Sequence, residues 1–410
     1  MSDDHLFLEL LRYRNRAHPE PILDRFLQTP VVRQHDGIYV VSSHELVMKA
    51  LVDPRLSNDP RKGPNPAFRT GPPSLGFVTL DPPEHDRLRE QTWAHFGPPA
   101  CPHFVEGFRA RIEALVEDRL QALDLERFDL VADFSYPIPV QIICDLLGVP
   151  QEDEPKFGAW SQLIALQPEF APDFAEPERT EKRDKAYAEL SEYFSKLIEK
   201  HKREGGEGLL ADLARARDGG RMSDAELGAT AEIMLIGGHE TTVNLVTNTV
   251  LFLLRNPDQL ERLRADPVLV DTTVEEALRL SPPLQFRPRF AVDEVEYGGV
   301  RIPKGSTVIL LLAAANRDPK RFADATRFDI GRNPNPHVSF AGGIHYCFGA
   351  PLGRLEAQIM VRAIATRLSG LKLLADPPPY RPMADLRGPS ELILSAEKLE
   401  TSDRRMLQEA

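Results

Sequence analysis

Residues 337–358 read HVSFAGGIHYCFGAPLGRLEAQ. A single cysteine, Cys347, stands among Gly342, Gly343 and Gly349, with Phe340 ahead of it and a helical apolar pattern behind. A thiolate that ligates the metal of a cofactor must be deprotonated, shielded from solvent and approached by backbone amides that tune its charge. Glycines let a backbone fold tightly enough to aim amides at a sulfur, and the N-terminus of a following helix favours an anion there. The residues alone leave two other readings open. Cys347 could be a buried small apolar group, or it could join His337 and His345 on zinc, although a fourth ligand is missing from that spacing.

The rest of the chain narrows the setting. Its 410 residues are 42% apolar and 27% charged, the proportions of a globular protein with a large core. A net charge of −12 argues against a nucleic-acid partner. Three cysteines and no CxxC pair exclude a disulfide framework and point to a reducing, cytoplasmic setting. The N-terminus lacks a signal peptide's apolar run, and no stretch of 18 apolar residues suggests a membrane span, so a soluble protein is expected. The 36 prolines are scattered as stops and turns, which gives no domain boundary. Two proline-rich breaks, 59–76 and 167–178, read as loops that could contact a substrate.

Apolar residues at i, i+3, i+4 and i+7 predict helices over 104–123, 136–149 and 182–205. A longer helix starts at Ser223, where Glu226 completes a capping box, and its apolar faces predict that it crosses the core. Strand signals are short and late, at 294–302, 306–311 and 391–396. The fold class expected is mainly α with a smaller β portion.

FAGGIHYCFG fits F-x-x-G-x-x-x-C-x-G, and on that motif the chain resembles the cytochrome P450 family. Ala341 stands where a glycine is usual. The resemblance runs through nearly the whole chain in motif order. It implies the P450 fold, one heme domain over residues 1–410 without a fused reductase, and heme b buried between the long central helix and the cysteine-loop helix. It also implies Cys347 as the iron ligand, with Phe340, Gly343 and Gly349 shaping the loop.

IGGHETT, 236–242, lies in the long helix. Two adjacent glycines cost about 1 kcal/mol each in helix propensity, and they serve equally as a packing notch or as an opening for a ligand. The stretch resembles the family's [A/G]-G-x-[D/E]-T-T segment. That likeness implies that Thr241 hydrogen-bonds to bound dioxygen while Glu240 relays protons from solvent; His239 is expected to be structural.

Glu276 and Arg279 in VEEALR, three apart on one helical face, resemble the family's E-x-x-R pair and are expected to be structural. HDRLR resembles H-x-x-x-R, which implies His85 and Arg89 as partners of the heme propionates. Arg289 in FRPRFAV, matching better than Arg287, and His345 and His337 complete that expected set.

The function expected is a soluble monooxygenase that activates O2 and inserts one oxygen atom into a small or medium apolar molecule. Electrons would come from a separate ferredoxin, or flavodoxin, and its NAD(P)H-dependent reductase. A peroxide-driven peroxygenase and a non-enzymatic heme sensor or carrier are the rivals. Retention of Glu240 and Thr241 counts against both.

Overall fold

The computed structural model describes residues 3–64, 76–96, 102–164, 172–174, 176–215 and 222–401. Most of the two proline-rich breaks therefore lies outside the described residues.

The long helix is Asp224–Arg255, and it begins with the expected capping box. Ser223 Oγ accepts from the Glu226 amide at 3.3 Å, and the Ser223 amide donates to Glu226 Oε2 at 2.7 Å. Nearly every residue from His239 to Leu251 is buried, because helices pack on all sides of this rod. They include Pro137–Leu147, Pro177–Glu204, Val270–Leu280 and the cysteine helix Ala350–Arg367.

Gly238 makes one crossing possible. A β-carbon there would sit 2.8 Å from Ile143 Cδ1, so the helix Pro137–Leu147 comes too close for any side chain. Gly148, at φ +75°, ends that helix in the left-handed conformation that glycine tolerates best. The segment Leu130–Leu147 is apolar enough to cross a membrane by composition, yet 78% of it is buried inside the fold, as in a core helix.

The β portion is larger and starts earlier than the sequence suggested. A five-stranded mixed sheet runs in the order Val31–Arg33, Tyr39–Val41, Thr307–Leu310, Arg287–Ala291 and Leu56–Ser57. Three of its strands come from the first sixty residues. Each has only two or three residues, too few for a period of two to register. The 294–302 signal is a hairpin, Val295–Tyr297 with Val300–Ile302, turned by Gly298 and Gly299 at positive φ. The 104–123 pattern is split into Pro102–Glu106 and Arg109–Gln121.

Candidate active site

The cysteine loop is shaped by two residues in the left-handed region, Ala341 at φ +58° and Gly343 at φ +65°. Ala341 thus occupies a conformation that suits glycine, which explains why glycine is usual there. Gly342 is extended and Gly349 lies at φ −83°, so neither uses positive φ. At Gly343 a β-carbon would crowd the Leu51 carbonyl at 3.2 Å. The Cys347 amide donates to Phe340 O at 2.9 Å, closing the loop. Burial pushes the Cys347 thiol up, while the Gly349 amide and the positive charges of Arg287, Arg89 and Arg354 pull against that rise. Binding a metal is the general way for such a thiol to lose its proton.

Beneath the loop Arg354 forms a fork on Glu275, with Nε to Oε1 at 2.7 Å and Nη2 to Oε2 at 2.9 Å. Its third nitrogen donates to Tyr346 Oη at 3.1 Å, and its guanidinium lies 4.4 Å from the Phe340 ring centroid. His337 belongs to this brace. Its Nε2 meets Glu275 Oε2 at 3.0 Å and its Nδ1 accepts from the Ser339 amide at 3.2 Å. Both ring nitrogens are therefore taken by protein groups, which removes His337 from the expected propionate set.

The remaining basic candidates converge. His85 and His345 meet ring to ring at 4.6 Å. His85 Nδ1 contacts Asp86 at 2.8 Å, whereas His85 Nε2 and His345 Nδ1 are buried with no hydrogen-bond partner. Arg89 donates to Tyr346 O at 2.9 Å and stacks on Phe77 and Phe348. Arg289 donates to Asn58 Oδ1 at 2.7 Å. Burial, then the charge of Arg287 two residues away on the same strand face, bring Arg289 down to about 10. Burial and its cationic neighbours push His345 down to about 3. Two buried guanidinium groups on one strand face, Arg287 and Arg289, with Arg89 also buried near the cysteine, make a site for an anion. Asp81, the acid that acts on Arg289, is already held by Lys62, Ser57 and the Asn58 amide. This chemistry fits the two carboxylates of a heme beside a cysteine ligand.

Above the cysteine helix lies the glycine pair, and its two members differ. Gly238 is the packing notch already described. A β-carbon on Gly237 would meet nothing within 4 Å, and the Gly237 carbonyl accepts from Thr241 Oγ1 at 2.8 Å. The pair thus divides: Gly238 serves packing, and Gly237 has open space beside it. Glu240 is buried, 1% exposed, with Arg381 Nη1 2.7 Å from Oε2 and His239 Nε2 3.7 Å from Oε1. Thr242 donates to Gly238 O at 3.2 Å and stands 3.6 Å from the position a β-carbon would take on Gly353 of the cysteine helix. Beside it Glu356 is buried next to the Thr242 hydroxyl, and burial pushes its carboxyl up to about 8.

Glu276 and Arg279 are fully buried and paired through two bonds of 2.8 Å. Arg279 also donates to the carbonyls of Asn316, Ala325 and Arg327. Arg332 adds a second cation to Glu276 at 3.0 and 3.1 Å. The pair thus knits the Val270–Leu280 helix to the irregular segment leading into the cysteine loop, and it touches neither Cys347 nor the glycine pair.

Sequence reasoning missed five residues of this region: Glu275, Arg332, Arg354, Glu356 and Arg381. Glu275 and Arg354 could have been paired only across 79 residues. Glu356 carried a usable signal, since it falls on the apolar face of the cysteine helix, where a carboxylate has no solvent.

A sequence model of the family described as Cytochrome P450 matches residues 7–382. The chain is a cytochrome P450. It is similar to the cytochrome P450 monooxygenase PikC of Streptomyces venezuelae, 39% identical over 83% of this chain and 80% of that protein. It also resembles the 6-deoxyerythronolide B hydroxylase of Saccharopolyspora erythraea, 38% identical over 85% of this chain and 87% of the hydroxylase. The ligand-free crystal structure of CYP164A2 from Mycobacterium smegmatis superposes with a TM-score of 0.88 at 36% identity, covering 96% of this chain and all of that one. As a P450 monooxygenase the chain takes heme b as its cofactor and O2 as co-substrate. The bound heme supplies the site's redox and oxygen-activating chemistry.

Proposed function

We propose that this P450 is a cytoplasmic monooxygenase, a single heme domain that inserts one oxygen atom into a small or medium apolar molecule. Two electrons reach it from a separate ferredoxin or flavodoxin and its NAD(P)H-dependent reductase. Those electrons and two protons reduce the second oxygen atom to water. Cys347 is the iron ligand in this reading, its loop closed by the amide of Cys347 on Phe340 O and braced by Arg354 and Glu275. His85, Arg89, Arg289 and His345 hold the propionates. Gly343 permits the tight turn, and the Gly349 amide tempers the charge on sulfur.

Thr241 and Glu240 divide the work on the other side. Gly237 leaves room beside the helix, and Thr241, its hydroxyl parked on the Gly237 carbonyl, presents an O–H that can turn towards a bound ligand. Glu240, held below its ordinary range by His239 and Arg381 against the upward push of burial, is an ionised carboxylate able to take a proton and pass it on. The observation that carries the reading is this pairing: an acid and an alcohol on the central helix, packed over a cysteine loop ringed by buried cations.

The relatives' names range from 6-deoxyerythronolide B to vitamin D(3), and solved neighbours hold myristic acid and testosterone. They support an apolar substrate class without choosing a member. A screen of heme-loaded protein against apolar compounds, starting with those two, would find binders by shifts of the Soret band. Turnover is then compared with NADH, ferredoxin and reductase, with hydrogen peroxide alone, and with neither. Product only in the first arm supports the proposal; product only with peroxide makes the protein a peroxygenase, and binding without product makes it a sensor or carrier.

A further inference from the structure

Glu240, Asn244 and Asn248 follow one another at four-residue intervals and form one stripe along the central helix. The stripe runs beneath the C-terminal hairpin that the Tyr380–Pro389 bridge and the Arg381 amide on Gly388 O (3.0 Å) hold together. Arg381 reaches down to Glu240. A β-carbon on Gly388 would lie 2.1 Å from Asn244 Oδ1, so the hairpin backbone rests on that amide. Asn248 Nδ2 donates to Arg387 O at 3.2 Å. Arg387 fixes the hairpin's tip, with bonds to Arg16 O at 2.9 Å and Ser281 Oγ at 2.7 Å.

Tyr136 closes the other side, its ring edge-on to His239 at 5.8 Å. Within this enclosure lie seven buried polar atoms that no protein group hydrogen-bonds. They are Tyr136 Oη, His239 Nε2, both oxygens of Glu240, both amide atoms of Asn244, and Arg381 Nε. Arg381 Nη1 meets Glu240 Oε2 as an ion pair at 2.7 Å. An unsatisfied buried polar atom costs about 1–3 kcal/mol, so a native protein gathers seven together only where water joins them. His239 gives its other nitrogen to Leu235 O at 2.6 Å, which leaves Nε2 facing Glu240. Arg381 is itself largely buried, with a side chain 16% exposed.

We propose that Arg381 is a positioning residue for proton delivery, holding Glu240 in a water-lined polar chamber under the C-terminal hairpin through which protons enter the site. Tyr136, His239 and Asn244 line this chamber. The step moves protons only: water in the chamber protonates Glu240, and Glu240 passes the proton on towards Thr241. Arg381 sets how firmly the carboxylate is held, and the hairpin that carries it forms the wall between chamber and solvent. The groups facing Glu240 are His239 on its own helix, Tyr136 at the start of Pro137–Leu147 and Arg381 on the hairpin. Without Arg381, burial acts on the acid with only His239 against it.

This inference rests on the monooxygenase reading, and two independent readouts test it. Heme-loaded wild type, Arg381→Gln, Arg381→Lys, Glu240→Gln and the Glu240→Gln/Arg381→Gln double variant are compared for NADH oxidation. The assay uses ferredoxin and reductase in air-saturated buffer, in H2O and in D2O. Arg381→Gln is expected to slow oxidation at least about tenfold and to enlarge the solvent isotope effect. Arg381→Lys recovers most of the rate, and the double variant is no slower than Glu240→Gln alone. An unchanged rate and isotope effect in Arg381→Gln, or losses that multiply in the double variant, overturn the proposal. Infrared difference spectra at neutral pH, which need no turnover, give the second readout. In variant-minus-wild-type spectra, a protonated-carboxyl band additional to that of Glu356 is expected for Arg381→Gln and not for the double variant; its absence from Arg381→Gln also overturns the proposal. A wild type that fails to consume dioxygen contradicts the monooxygenase reading instead, and the infrared result then still decides the role of Arg381.

Discussion

Glu356 lets the packing of the cysteine helix on the central helix be tested through stability. Burial lifts its carboxyl to about 8 from an ordinary value of 4.5, and the Thr242 hydroxyl opposes that rise only partly. The sign follows from linkage. Below pH 4.5 the folded and unfolded chains both hold the proton, and the group is neutral for stability. Between 4.5 and 8 the unfolded chain gives up its proton while the folded one keeps it, so the native state loses stability as pH rises. At about 1.4 kcal/mol per pH unit, the loss comes to roughly 3 kcal/mol at pH 7 and levels off near about 5 kcal/mol above pH 8.

Glutamine keeps the size and the polar contacts and cannot ionise. Glu356→Gln should therefore gain on wild type steadily from about pH 5 to about pH 8 in urea-unfolding midpoints at matched heme content. Any packing cost of the substitution enters as an offset independent of pH. A midpoint difference that stays constant across that range would refute the reasoning and make Glu356 an ordinary ionised carboxylate.

Arg279→Ala should cost about 3–5 kcal/mol, because it leaves Glu276 short of its closest cation and three carbonyls without their donor; thermal unfolding at fixed pH measures it. The two glycines should part company. Gly237→Ala meets open space and should raise stability by about 0.5–1 kcal/mol, whereas Gly238→Ala runs into Ile143 and should lower it. Equal effects in the same unfolding assay would contradict the division drawn between them. Thr241→Ala should keep heme and substrate binding while diverting reducing equivalents to hydrogen peroxide. The ratio of product to NADH consumed reports this, and unchanged coupling would remove Thr241 from the relay.

Much of the site is legible in the sequence, for a physical reason. Cys347, Glu240, Thr241, Glu276 and Arg279 lie in short contiguous strings that a family motif can match, although the residues alone leave other readings open. The convergence of His85, Arg89, Arg289 and His345 is readable only through family likeness, since those residues are spread over some 260 positions. Partners that come from elsewhere in the chain are not legible. Arg381 meets Glu240 across 141 residues, and Arg332 joins Glu276 across 56. His337 shows the opposite failure: a histidine beside a cofactor loop looks like a ligand until Glu275 is seen holding it. The early strands escape notice because each is stabilised by its neighbours in the sheet and leaves little pattern of its own.

The central claim is that Cys347 ligates the iron as a thiolate. Reduced, heme-loaded protein exposed to carbon monoxide tests it in one spectrum. The account predicts the long-wavelength Soret band characteristic of thiolate ligation, lost in Cys347→Ser. A wild-type band at the shorter wavelength of histidine-ligated heme, or the same band in Cys347→Ser, would contradict it.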